Sequence, residues 1–234
     1  MAGNLTRKEL LKQDKFKVEA EHTFDYLSTH RKETVRYGGI VLAVIVVVAG
    51  VFYYRASQLS VREQILGEAI ALTNATVGQA TGGGPNFPTQ AAKNDGVTKA
   101  LTKLASDYSG EEEAYIAEYF LGTEALNSGK VDEARKKYQD AADHANPNYA
   151  SLAKLALAQL DFAENRLPES ETLLKDLMDH PTDLVSKSQA TYTYAQVISQ
   201  TKPAEARKLL VQLAGEKSDV SQIAVEAMND LPQK

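Results

Sequence analysis

The sequence predicts an all-α protein in which one N-terminal transmembrane helix precedes a solenoid of helical hairpins. Two observations predict it. An uncharged run of 18 residues lies between Arg36 and Arg55, and from about residue 110 a pattern of small and large residues returns every 36 positions. The chain has no Cys, which removes a disulfide framework, thiolate metal ligation and a thiol nucleophile.

The tail, residues 1–36, carries eight basic against six acidic residues. Thr6-Arg-Lys-Glu9 has the form of a capping box, and no Gly or Pro follows it before His30, so a helix is expected there. The span proper, residues 37–54, would reach roughly 27 Å as a helix at ~1.5 Å per residue, close to the ~30 Å hydrocarbon core. Tyr37 at one end and Phe52, Tyr53 and Tyr54 at the other are placed as an interfacial aromatic belt. The tail is too long for the charged region of a cleavable signal, so the span is expected to stay attached. Lys17, Arg31, Lys32 and Arg36 precede it, whereas only Arg55 and Arg62 follow within twenty residues. That asymmetry places the N-terminus in the cytoplasm and the C-terminal part across the membrane.

Residues 55–108 read as an atypical first hairpin. A helix is expected from Leu59 to about Gln79 and another from about Gln90 to Tyr108, joined by the breaker Thr81-Gly-Gly-Gly-Pro-Asn-Phe-Pro88. The Gly run is not a phosphate loop, because no Lys-Ser/Thr follows and no strand pattern precedes it. Past residue 56 the chain holds 17 basic and 25 acidic residues, the wrong balance for binding nucleic acid.

Residues 109–234 carry the repeats. Glu133-Ala134, Glu169-Ser170 and Glu205-Ala206 recur in register, as do Tyr138, Leu174 and Leu210, then Ala141, Leu177 and Leu213. Twelve positions before each small residue stand Gly122, Ala158 and Tyr194. Small residues let two helices approach, and the larger ones fill the space between hairpins, none of which can bury its apolar face alone. Asp132, Pro168 and Pro203 suit first helical turns, and Glu111-Glu112-Glu113 reads as another helix start with solvated carboxylates rather than a metal or acid–base cluster. Gln222 to Leu231 is expected as a capping helix.

These residues resemble the tetratricopeptide repeat (TPR). The first unit carries Leu121-Gly122, Gly129, Ala134, Tyr138, Ala141 and Pro147 in that pattern, and the second keeps Leu157-Ala158, a turn Asn165 able to adopt a left-handed conformation, Ser170, Leu174 and Pro181. The third keeps mainly Ala206 and Leu210. The period is 36 rather than the family's 34, and the large apolar residue near the start of each first helix is replaced by Glu118, Lys154 and Ala190.

No catalytic constellation emerges, and the protein is not expected to be an enzyme. His144 and His180 end second helices one repeat apart, where a cationic ring suits the helix dipole. No His pair has zinc spacing, and no Ser sits in a nucleophile-elbow context. Neither a metal, nor a cofactor, nor a small-molecule substrate is expected.

The whole layout is similar to one bacterial family, the ancillary TPR subunit of the Sec translocon. The matching parts are a cytoplasmic N-terminus, one span ending in Tyr54-Arg55, an atypical helical region, and repeats such as Ala150-Ser-Leu-Ala-Lys-Leu-Ala-Leu-Ala-Gln159. The resemblance implies an inner-membrane protein with periplasmic repeats, working beside the translocon with a membrane-anchored chaperone. It also implies binding of peptides or partner helices on the concave face made by first helices. Carried over by position, that face holds Tyr119, Thr123, Leu126, Leu155, Gln159, Phe162, Thr191 and Ile198. The alternative role is an envelope scaffold that coordinates cell-wall synthesis, division or outer-membrane assembly.

Overall fold

The computed structural model describes residues 31–78 and 84–230. The expected capping box at Thr6–Glu9, its helix and most of the tail lie outside the described residues, as do five residues of the Gly-rich connection.

The first helix, α1, runs unbroken over Arg31–Thr73. A fresh helix at Leu59 was expected after the span. Between Tyr54 and Thr73, however, the chain holds no Pro and only Gly67 as a weak helix former, so nothing interrupts the ladder. The chain divides into two compact units at Leu59 and Ser60. In the first unit every described side chain from Val35 to Tyr54 is exposed, including Val41, Ile45, Val48 and Phe52. Among the described residues this apolar stretch has no buried face, which is the pattern of a segment solvated by lipid.

The second unit is a stack of helices. After α1 come two strands of two residues each, β1 (Thr76–Val77) and β2 (Asn86–Phe87), paired in parallel. This small ladder within the Gly/Pro connection was not foreseen, because two residues carry no readable alternation. Phe87 fixes the connection in place: a Cβ on Gly96 would lie 2.8 Å from its ring, so the ring rests on helix backbone that only Gly exposes. Then follow α2 (Gln90–Asp107), α3 (Glu112–Asn127), α4 (Val131–His144), α5 (Pro147–Ala163), α6 (Leu167–Asp179), α7 (Lys187–Ile198), α8 (Pro203–Gly215) and α9 (Ser221–Asp230).

Local sequence sets these boundaries. Thr89, Asn146 and Ser186 each accept a hydrogen bond from the backbone N–H three residues on, and Pro147, Pro168 and Pro203 occupy first turns. The two turns inside the first two repeats are closed alike. Gly129 and Asn165 take left-handed conformations at φ 74° and 61°, and Lys130 N–H and Arg166 N–H reach back to the carbonyls of Ala125 and Asp161. In the third repeat Thr201 stands at this position, and the turn closes instead through Lys202 N–H to Ile198 at 2.7 Å.

Packing follows the 36-residue register. Ala134, Ser170 and Ala206 are all fully buried, and so are their large partners Tyr138, Leu174 and Leu210 to within a few per cent. Gly122 meets Tyr138 so closely that a Cβ there would stand 2.8 Å from the ring. Ser170 spends its hydroxyl on the Ala158 carbonyl at 2.7 Å, so a polar residue is tolerated in an apolar crossing.

One expectation about charge is corrected. Glu111 and Glu112 are exposed, but Glu113 is only 4% exposed and receives Arg62 Nε at 3.0 Å, while Arg62 also reaches Glu111 at 3.1 Å. The third Glu of the run points inward because the helical period turns it toward α1. It is a buried ion partner rather than a solvated carboxylate. The missing large residues of the first helices are likewise replaced by ion pairs, Glu118 with Lys137 at 2.7 Å and Lys154 with Asp176 at 2.6 Å.

Two of the surface pairs shift titration. Lys154, and secondarily His180, hold the Asp176 carboxyl below its usual range, and Lys202 does the same for Glu171 across 2.7 Å. A lowered folded pKa means that the unfolded chain binds these protons more readily. The stabilisation is therefore complete above the unfolded values of about 4 and is lost as pH falls through the folded ones. The melting temperature is expected to stay level from neutral pH to about pH 5 and to fall below about pH 4. The fall should be shallower in an Asp176→Asn, Glu171→Gln variant, and identical acid profiles would contradict this assignment.

Candidate partner-binding face

First helices of successive repeats touch directly, α3 against α5 and α5 against α7. Each second helix packs on the first helices before and after it, so α3, α5 and α7 are the closely spaced set. A stack whose first helices crowd together presents them along one continuous face.

The eight residues carried over by position divide on burial. Leu126 and Phe162, one repeat apart, are 38% and 37% exposed, and Gln159 is exposed between them in sequence. Tyr119 and Thr123 are half-buried. Thr123 accepts a hydrogen bond from the Tyr138 hydroxyl at 3.1 Å and donates to the Tyr119 carbonyl, so its side chain serves the hairpin. Leu155, Thr191 and Ile198 are buried, Ile198 completely, and the Thr191 hydroxyl donates to the Lys187 carbonyl at 2.8 Å. These three pack between helices and offer no contact surface. The solenoid brings Leu126, Gln159 and Phe162 to solvent, leaves Tyr119 and Thr123 half-buried and turns Leu155, Thr191 and Ile198 inward.

Two features of this face were not read from the sequence. Tyr119, Phe120 and Tyr149 form an aromatic cluster with ring centroids 5.2 to 6.1 Å apart, and Tyr119 also leans on Tyr138. Burial pushes the Tyr119 and Tyr138 phenols up, so both remain neutral. Phe120 and Tyr149 lie outside the repeated positions, which is why periodicity missed them. Between α7 and α9 there is a groove of about 370 Å³ lined by Tyr192, Ala195, Gln196, Ser199, Ile223 and Glu226. Ala195 stands one repeat after Gln159, a signal the spacing contained.

Charged residues stabilise the sides of the stack. Asp161, almost fully buried, accepts from Arg135 at 2.7 Å and from Arg166 at 2.9 and 3.0 Å, and both guanidinium groups also contact Glu164. Among the described residues, no group of three or more His, Asp or Glu side chains converges as a metal set.

A family model described as a tetratricopeptide repeat-like domain matches residues 35–179. The chain belongs to that family. The match begins in the apolar helix and ends with α6, so it covers the atypical hairpin and the two repeats whose turns are closed alike. No curated protein and no solved structure matches the chain. TPR-like domains commonly act as protein-interaction modules, and Leu126 of α3 and Phe162 of α5 are among the exposed large apolar side chains of this stack.

Each such side chain contributes about 1.5–3 kcal/mol when a partner fully buries it. Replacing Leu126 and Phe162 together by Ser is expected to reduce partner capture in cells at least about tenfold with little change in melting temperature. Tyr119→Ala should instead lower the melting temperature, because it opens the aromatic cluster. Equal capture by a well-folded double variant would show that partners bind elsewhere.

Proposed function

We propose that this chain is a single-pass membrane protein that holds polypeptide partners on its first-helix face and performs no catalysis. The tail, residues 1–36, lies in the bacterial cytoplasm, residues 37–54 cross the inner membrane, and the atypical first hairpin of residues 55–108 and the repeats of 109–234 stand in the periplasm. There the protein assists translocated polypeptides beside the Sec translocon, together with a membrane-anchored chaperone.

The observation that carries this reading is the joining of two parts in one chain: an apolar helical stretch exposed from Val35 to Tyr54 among the described residues, and a family repeat stack. A protein-interaction module fixed to a membrane acts on what passes that membrane or assembles at it, since tethering raises its effective concentration there. The charge asymmetry across residues 37–54 supports the orientation. Similarity of layout to the ancillary translocon subunit supports the translocation role.

In-cell photocrosslinking from Leu126, Gln159 and Phe162, read by mass spectrometry, tests the reading. Adducts with translocon subunits and a periplasmic chaperone are expected. Adducts with wall-synthesis, division or outer-membrane assembly machinery would replace translocation with the scaffold role. Cytoplasmic proteins at these positions would contradict the orientation.

A further inference from the structure

We propose that the groove between α7 and α9 binds a cationic segment of a polypeptide, seating an apolar side chain on its floor and pairing a Lys or Arg with Glu226. This deepens, and rests on, the reading that the first-helix face holds polypeptides. The groove measures about 370 Å³. That is the small end of ligand sites, with room for one or two side chains rather than a whole helix.

The shape of the groove comes from its helices. α3 meets α5 and α5 meets α7 directly. Beyond α7 the face is floored by α8, which packs on both α7 and α9 and contributes Leu210, only 2% exposed. Ile223 of α9 supplies an apolar wall that remains open to solvent. An apolar side chain gains contact here.

The polar lining selects what must accompany that side chain. Gln196 Nε2 donates to the Tyr192 hydroxyl at 3.1 Å, which leaves the Gln196 side-chain carbonyl as an acceptor. Glu226 is the one charged side chain of the lining among the described residues, and among them it has no ion-pair partner. Charges elsewhere on first helices are matched within the chain: Glu113 by Arg62, Glu118 by Lys137, and Asp161 by Arg135 and Arg166. The groove therefore offers acceptors and a negative charge beside an apolar floor, and a Lys or Arg on the incoming segment supplies the missing countercharge. The field of the whole unit acts in the same direction. Past residue 56 there are 17 basic and 25 acidic residues, so cationic segments are drawn in and acidic ones repelled.

The test uses the full chain in phosphatidylcholine nanodiscs and a pair of short synthetic peptides. Each carries a photoreactive diazirine leucine in a Gly/Ser background, beside Lys in one and beside Glu in the other. After illumination the adducts are mapped by mass spectrometry. The Lys peptide is expected to label residues 192–199 and 223–227, and the Glu peptide to label them about tenfold less. Glu226→Gln should cut labelling by the Lys peptide about threefold or more, and Glu226→Lys should reverse the preference between the peptides. Glu226 is exposed, so neither variant should change the melting temperature. Equal labelling by both peptides, or a preference that survives Glu226→Lys in the well-folded variant, would overturn the inference. Adducts confined to α3 and α5 would overturn the groove and leave the polypeptide-binding reading standing, whereas no adducts on any first helix would overturn both. Groove adducts that arise only after residues 231–234 are removed would assign the groove to that segment of the chain and overturn the inference as well.

Discussion

The stack depends on how closely α3 and α4 cross. At that crossing the Tyr138 ring occupies the space a side chain on residue 122 would need, and Gly122 supplies the missing volume. The second repeat solves the same problem with Ala158 and Leu174, and both are completely buried. Helix crossings of this kind set the distance between first and second helices. That distance fixes where the next hairpin lands and so which residues of α3, α5 and α7 reach solvent. Leu126 and Phe162 are exposed because Tyr138, Leu157 and Leu174 fill the interior from the other side.

Charges then decide which neighbours pair. The Glu113 and Asp161 carboxylates are largely withdrawn from water, Glu113 beside Arg62 and Asp161 beside the more exposed Arg135 and Arg166. Such groups add little net stability over a well-packed apolar substitute, but removing one partner strands the other at a cost of about 3–5 kcal/mol. Arg62 is the charged contact between the end of α1 and the first repeat, so α1 is held to the stack by a directional pair as well as by Leu66 and Ala69. The small Thr76–Asn86 ladder and the Phe87 ring on Gly96 close the same region.

Much of the architecture could be read from the sequence because its signals are periodic or long. The apolar run needed only length and absence of charge, and the hairpins needed only the 36-residue register. Asn165 was readable because a left-handed turn residue has a short list of candidates. The rest depends on tertiary direction. Nothing in Glu111-Glu112-Glu113 says which carboxylate faces Arg62, fifty residues away. Nothing in the repeat marks Ile198 as interior while its equivalents Leu126 and Phe162 stay outside, because the third repeat departs from the pattern of the first two. That departure is visible in Thr201, which replaces a left-handed turn residue, and in Tyr194, which fills the place of Gly122 and Ala158. The continuity of α1 through Thr73 was hidden by the change from apolar to mixed composition after Tyr54, which alters solvation and not helix propensity.

If close approach at small residues builds the stack, the first crossing should accept the second crossing's solution. A double-mutant cycle by urea unfolding on Gly122→Ala and Tyr138→Leu measures this. Gly122→Ala alone should destabilise by about 1–3 kcal/mol, since the added methyl forces the ring from its site. Combined with Tyr138→Leu, which recreates the Ala158–Leu174 pair, much of that loss should return, with a favourable coupling of about 1 kcal/mol or more. Single effects that add to within about 0.5 kcal/mol would mean that the ring and the glycine do not constrain one another, and the account of the stack would fail.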